Sequence, residues 1–157
     1  MRIAFILLLL ITGSTSLQAQ KTFKQHSAYV EILGNGGVLS ANYELQLNKK
    51  PGFGIHAGIG LGGDKPAIPL GVTYLFKLGG QKSFIETGVG VTIAEREFWV
   101  ERINRLPENP YQIAWIPSVG YRHHTNYGLM WKLIYSPYFH TERTELLFFG
   151  AAVGWRF

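Results

Sequence analysis

The chain of 157 residues contains no cysteine, so it forms no disulfide bond. It also cannot be a lipoprotein, because lipid attachment at a signal-peptide cleavage site needs a cysteine there. Charged residues are scarce, at 16% against a typical ~25%. No apolar run reaches the ~18 residues that a membrane-spanning helix needs. The composition therefore excludes a disulfide-stabilised domain, a lipoprotein and a helical membrane protein.

Basic residues outnumber acidic ones, 15 to 10, which gives a formal net charge of +5. Such a balance sometimes indicates a nucleic-acid partner. Here the Lys and Arg residues are scattered, and Lys49-Lys50 is the longest basic run. We therefore expect no nucleic-acid binding, and only a weak attraction to anionic lipid headgroups.

The N-terminal segment, residues 1–19, is predicted to be a secretory signal peptide. Arg2 supplies a positive start, and residues 3–11 form an apolar run that is too short to span a bilayer as a helix. A cut between Ala19 and Gln20 leaves residues 20–157 as one mature domain. Leu17 stands three positions before the cut, where a small residue is usual, so the cleavage position stays open.

The mature chain divides into eight segments of about ten residues, in which large apolar residues alternate with small or polar ones. A period of two predicts β-strands. Turn-like clusters, such as Asn35-Gly36 and residues 124–127, separate the segments and join them in order. We therefore predict an all-β fold, an eight-stranded up-and-down antiparallel transmembrane β-barrel.

The transmembrane part of this prediction depends on which face of the strands is polar. One face is uniformly large and apolar, and the other carries small residues together with ionisable ones. These ionisable residues are Glu31, Glu44, His56, Lys77, Glu86, Arg122, Lys132 and Arg156. An Arg or Lys that faced lipid at mid-depth would cost ~2–4 kcal/mol. The small-residue face is therefore predicted to point inward and the apolar face towards lipid.

The C-terminus carries the most specific pattern, an alternating apolar end formed by Val153, Trp155 and Phe157. With segments 84–91, 128–131 and 150–157, it resembles small Gram-negative outer-membrane barrel proteins, the uncharacterised outer membrane protein β-barrel domain family. The resemblance implies an integral location in the cell outer membrane and contact with its lipid. It also implies that the barrel-assembly machinery recognises these three residues. Many such proteins have no assigned activity.

The inward-facing charges predict an ion-pair plug, because eight strands leave only a narrow lumen. Three acids and four bases form the predicted set: Glu31, Glu44, Lys77, Glu86, Arg122, Lys132 and Arg156. The alternative is a small, porin-like channel for a solute. Its conductance would rise on neutralisation of Arg122 or Lys132.

No catalytic set stands out, so the leading hypothesis is a non-enzymatic barrel with a structural or surface-interaction role. A lipid A deacylase-like enzyme stays open as an alternative, because residues 123–126, His-His-Thr-Asn, superficially resemble the His-x-Ser-Asn motif of that group. By strand order the serine of the motif matches Ser136, but Ile134 stands where the base belongs, so the hydroxyl lacks activation. A soluble periplasmic barrel that binds an apolar ligand is a further alternative.

The histidines are not expected to hold a metal. His26, His56 and His140 lack the spacing of ligands, and the side chains of the adjacent His123 and His124 diverge on a strand. We expect no cofactor either.

The longest connector, residues 95–110, contains Phe98, Trp99 and Val100 among seven charged residues. It falls on the outer side of the predicted barrel, where loops are long. One interpretation is a hairpin that continues two strands above the membrane. The other is a surface patch that meets an unknown extracellular partner, because exposed rings on a loop favour binding.

Overall fold

The computed structural model describes residues 23–61, 66–80, 82–95, 111–139 and 144–157. The strands are β1 (His26–Gly34), β2 (Gly37–Gln46), β3 (Phe53–Leu61), β4 (Pro66–Leu78), β5 (Ser83–Glu95), β6 (Tyr111–His124), β7 (Leu129–Tyr135), β8 (Tyr138–Phe139), β9 (Thr144–Glu145) and β10 (Phe149–Arg156). Within these ranges there is no helix with the length and apolarity to cross a membrane. The predicted signal peptide lies outside the described residues.

The strands close into a barrel through antiparallel pairs between neighbours. Each of β1 to β6 pairs with the next strand along the chain, and β10 pairs with both β7 and β1, for instance through Val30 and Val153. The short strands β8 and β9 continue β7 and β10, so the ten elements form eight barrel strands. The predicted eight-stranded, up-and-down antiparallel β-barrel is confirmed.

The last strand is less regular than its alternation predicts. Residues 146–148 interrupt it between β9 and β10. Phe148 packs edge-on against the ring of Tyr138 at 4.6 Å, and its carbonyl oxygen accepts a hydrogen bond from Ser136 N at 2.9 Å. The Phe148 ring therefore packs inside the barrel, and a backbone hydrogen bond joins the interrupted stretch to the neighbouring strand.

The barrel is apolar outside and polar inside. Outward side chains such as Leu61, Trp115 and Leu133 are 64%, 60% and 56% exposed, whereas Glu44 and Arg122 are fully buried. A soluble barrel with an apolar ligand cavity requires the reverse arrangement. The structure does not favour that alternative.

Aromatic side chains gather near both ends of the outer surface. We call the end that carries residues 23–25 and Phe157 the terminal end, and the end that carries the β1–β2 turn the loop end. Near the terminal end, the ring of Tyr74 lies 4.7 Å from that of Phe53 and 4.5 Å from that of Phe76. At the loop end, Trp115 and Phe139 face each other in register.

Candidate functional site

The centre of the lumen holds a buried arginine between two carboxylates. Arg122 Nη1 lies 2.6 Å from Glu44 Oε1 and 2.9 Å from Glu86 Oε2. The second guanidinium nitrogen, Nη2, contacts Ser27 Oγ at 3.3 Å and Met130 Sδ at 3.0 Å. Strand alternation puts all five side chains on the inner face, so Arg122 bridges opposite walls of the barrel.

Lys132 extends this arrangement towards β1. Its Nζ lies 2.9 Å from Glu86 Oε1 and 3.5 Å from Glu31 Oε2, and it donates to Tyr29 Oη at 3.4 Å. The ammonium also sits 4.4 Å from the centre of the Tyr29 ring, within range of a cation–π interaction. Glu86 therefore joins two cations into one network. We call Glu31, Glu44, Glu86, Arg122 and Lys132 the central ion cluster.

The cluster is almost completely removed from water, since each of its side chains is at most 3% exposed. Isolated charges at such depth would be very costly, and pairing them recovers the lost hydration only when the geometry is good. Three carboxylates face two cations, so the formal charges leave one negative charge in excess. This arrangement fills and cross-links the lumen, and its ionic groups are buried against one another.

The structure corrects the predicted plug at two residues. Lys77 is exposed at the end of β4 and makes no ion pair with any described residue. Arg156 is buried, but its Nη2 donates to the Lys24 carbonyl at 2.6 Å and its guanidinium lies 4.4 Å from the Phe23 ring centre. Both residues stand on the inner face at the terminal end. They are too close to the rim to reach the cluster.

The β1–β2 turn closes the lumen at the loop end. Residues 34–37 are all buried, and the preceding Leu33 has a φ of 53°, in the left-handed region. Asn35 N donates to Glu31 Oε1 at 2.6 Å, Thr92 Oγ1 donates to Asn35 O, and Tyr138 Oη donates to Gly34 O. The turn is thus folded inward and tied to the wall and to the central ion cluster.

Two glycines make room for this inward turn. A Cβ added to Gly60 would overlap the carbonyl oxygen of Gly36, and one added to Gly150 would overlap that of Leu33. Only glycine lets the turn approach the wall so closely. From the sequence, Asn35-Gly36 is predicted to be a plain connector. The run Gly-Asn-Gly-Gly at 34–37 is the feature of the sequence that indicates close packing.

The residues before β1 cover part of the terminal end. The Phe23 ring lies 6.5 Å from that of Phe84 and 6.0 Å from that of His124. Lys24 Nζ donates to the carbonyls of Tyr127 and Arg156 at 3.2 and 3.1 Å. Beside this segment an open cavity of about 830 Å³ remains in the mouth.

The residues of the deacylase hypothesis do not form a catalytic set. Ser136 is fully buried, and its Oγ has no hydrogen-bond partner among the described residues. Ile134, two residues earlier, supplies no base. His123 points outward, where its Nδ1 contacts Ser83 Oγ at 3.3 Å and Tyr121 Oη at 3.4 Å. This cross-strand polar group lacks a carboxylate partner in the described part of the chain, so nothing orients the imidazole as a base.

The remaining predicted site residues divide into two groups. Val153, Trp155 and Phe157 point outward and are 55%, 50% and 58% exposed. Phe98, Trp99 and Val100 lie outside the described residues. In the part of the chain that the structure covers, no three His, Cys, Asp or Glu residues are grouped so as to hold a metal ion.

Comparison with known proteins gives one structural likeness. No family model and no curated protein matches the chain. Among solved structures it is similar to the N-terminal β-barrel domain of Pseudomonas aeruginosa OprF, with a TM-score of 0.57 and 12% identity over 85% of this chain and 96% of that one. At this identity the likeness concerns the fold, and it agrees with the closed barrel described above.

Proposed function

We propose that this protein is an integral outer-membrane β-barrel of a Gram-negative cell, with a structural or surface-interaction role and no catalytic one. The observation that carries the proposal is the inverted barrel, with bulky aliphatic and aromatic side chains outside and buried charges inside. A water-soluble protein rarely exposes an apolar patch larger than a few hundred Å². In a lipid environment the apolar outer surface does not contact water, and the ionic groups stay shielded in the lumen.

Three obstructions in the lumen support a structural role over a solute channel. The β1–β2 turn fills the loop end, the central ion cluster fills the middle, and Phe23 with Phe84 covers part of the terminal end. Each obstruction also has contacts of its own: Thr92 and Tyr138 hold the turn, ion pairs hold the cluster, and ring contacts hold Phe23. Loss of one obstruction therefore leaves contacts that hold the other two, and a steady open pore is not expected.

A surface-interaction role rests on the connector between β5 and β6. Its flanking strands end at the loop end, which faces the cell exterior when the chain termini face the periplasm. Phe98, Trp99 and Val100 are the residues we propose to meet an extracellular partner. Apolar side chains presented on a loop are suited to such contacts.

The proposal is tested by membrane fractionation and heat-modifiability on a gel, with the chain expressed with its leader. The expected result is a protein that sediments with the outer membrane and migrates differently before and after boiling. A soluble periplasmic protein without that shift would contradict the proposal. Lipid A hydrolysis by the purified protein, lost in Ser136→Ala, would instead overturn the non-catalytic assignment.

A further inference from the structure

Among the described residues, the two ends of the barrel differ in charge. Five described residues are acidic: Glu31, Glu44 and Glu86 belong to the central ion cluster, and Glu95 and Glu145 lie in strands at the loop end. The terminal end has no acidic side chain among the described residues. Its basic side chains are Lys24, Lys49, Lys50, Lys77, Lys82 and Arg156. Among the described side chains, this end is therefore predominantly basic.

Four of these cations converge on the cavity in the mouth, namely Lys24, Lys77, Lys82 and Arg156. Lys24 and Arg156 use part of their donor capacity on backbone carbonyls. The side chains of Lys77 and Lys82 are exposed and form no hydrogen bond or ion pair with any described residue. The cavity thus has strong donors and positive charge, and no carboxylate side chain lines it.

A buried imidazole in the cavity wall gives independent support for a ligand. His124 lines the cavity and is 2% exposed, and neither ring nitrogen has a hydrogen-bond partner among the described residues. Its ring packs 4.6 Å from that of Phe84, which fixes its position. Buried polar atoms are nearly always hydrogen-bonded, so an unpartnered imidazole in the wall of this cavity leaves room for a ligand that supplies its hydrogen-bond partner.

We propose that this mouth binds the phosphate of an anionic phospholipid headgroup from the adjoining leaflet. A phosphate oxygen accepts charge-assisted hydrogen bonds from Lys and Arg, and cations near an anionic membrane surface are attracted to it. A free phosphate offers the same chemistry. The lipid is favoured because Phe157 lines the cavity and is also 58% exposed on the apolar outer face. An acyl chain therefore has an apolar surface next to the headgroup site.

This inference rests on the proposed membrane location, and it is tested with the purified mature chain refolded in maltoside micelles. Dihexanoyl phosphatidylglycerol, dihexanoyl phosphatidylcholine and inorganic phosphate are titrated separately by calorimetry at ~0.15 M salt, where the Debye length is about 8 Å. The Lys77→Gln/Lys82→Gln variant removes two cations from the cavity lining. The Lys49→Gln/Lys50→Gln variant removes the same charge from the same end of the barrel, outside the lining.

The expected result is at least tenfold tighter binding of phosphatidylglycerol than of phosphatidylcholine or phosphate. Removing Lys77 and Lys82 weakens that binding at least tenfold, and removing Lys49 and Lys50 changes it less than twofold. Equal losses in the two variants would show diffuse surface attraction and overturn the site. Phosphate binding as tight as that of the lipid would overturn the lipid as ligand. Equal binding of phosphatidylglycerol and phosphatidylcholine would overturn the anion site together with its lipid ligand.

Heat-modifiability separates these outcomes from a failure of the barrel proposal. A variant that keeps the gel shift but loses lipid binding has a folded barrel and a damaged site. A wild-type chain that shows no shift contradicts the membrane barrel itself. A His124→Leu variant, which retains a side chain to pack on Phe84, is expected to weaken phosphatidylglycerol binding several-fold while keeping the shift.

Discussion

Arg122 Nη1 and Glu44 Oε1 lie 2.6 Å apart in the lumen, although 78 residues separate them in the chain. They belong to β6 and β2, which are not neighbours in the barrel. Glu86, Lys132 and Glu31 add β5, β7 and β1 to the same network. Five of the eight barrel strands are thus linked through side chains as well as through backbone pairing.

The charge balance of this cluster predicts unequal effects of neutralising its members. Arg122→Met leaves three buried carboxylates with one cation and is expected to lower the free energy of unfolding by about 3–5 kcal/mol. Glu44→Gln leaves two carboxylates with two cations and should cost only about 1–3 kcal/mol, the cost of a weakened buried hydrogen bond. Urea unfolding in detergent, followed by tryptophan fluorescence, measures both values.

A double variant provides the control for this prediction. Arg122→Met combined with Glu44→Gln removes both members of one pair, so its cost should fall below the sum of the two single costs. A strictly additive result would show that the two side chains do not interact. A Glu44→Gln variant less stable than Arg122→Met would contradict the proposed charge balance.

The sequence predicted the strands well because alternation is set by the pleat of each strand. It also predicted which face is inward, and hence that the five residues of the central ion cluster share the lumen. It did not separate Lys77 and Arg156 from that cluster. Alternation reports the face of a residue and not its depth, and both residues stand on the inner face near the rim.

The sequence pattern also did not predict that the β1–β2 turn folds into the lumen. A turn between two strands has the same composition whether it projects outward or folds into the lumen. Whether the turn projects outward or folds inward depends on partners distant in sequence, such as Thr92 and Tyr138. The turn contacts them only when the barrel has closed. The mouth cavity likewise combines residues from both termini and three turns.

The close approach of Gly60 to the turn gives a second prediction. Gly60→Ala places a methyl group against the Gly36 carbonyl and is expected to destabilise the barrel by about 1–3 kcal/mol, as overpacking does. Gly52→Ala is the matched control, because its added Cβ meets only the Lys50 carbonyl oxygen, at 3.9 Å. Equal stabilities of the two variants in urea would contradict the inward position of the turn.

The three obstructions predict that the lumen does not conduct steadily. Reconstituted in planar bilayers, the wild-type chain should show no stable conductance. Lys132→Met should not produce one, because the β1–β2 turn and Phe23 stay in place. A stable conductance step in the variant, absent from the wild type, would favour the channel hypothesis over the structural one.

The absence of cysteine permits a direct test of orientation. Trp99→Cys introduces a single thiol into the connector between β5 and β6, and Asn48→Cys introduces one into the exposed β2–β3 turn at the terminal end. In intact cells a membrane-impermeant maleimide should label only the thiol at position 99. The thiol at position 48 should react after the outer membrane is permeabilised. The opposite order would reverse the proposed orientation.

The role in barrel assembly proposed for Phe157 predicts that its substitution impairs assembly without lowering stability. Phe157 N donates to the His26 carbonyl at 3.0 Å, a backbone bond that any residue retains, and its ring is 58% exposed. Phe157→Ala should therefore refold in detergent with nearly wild-type stability in urea. In cells it should assemble several-fold less into the outer membrane, if the assembly machinery recognises the terminal ring.

Ile59→Ala, which shortens an equally exposed side chain on β3, serves as the control. Equal assembly of the two variants would show that Phe157 is an ordinary lipid-facing residue.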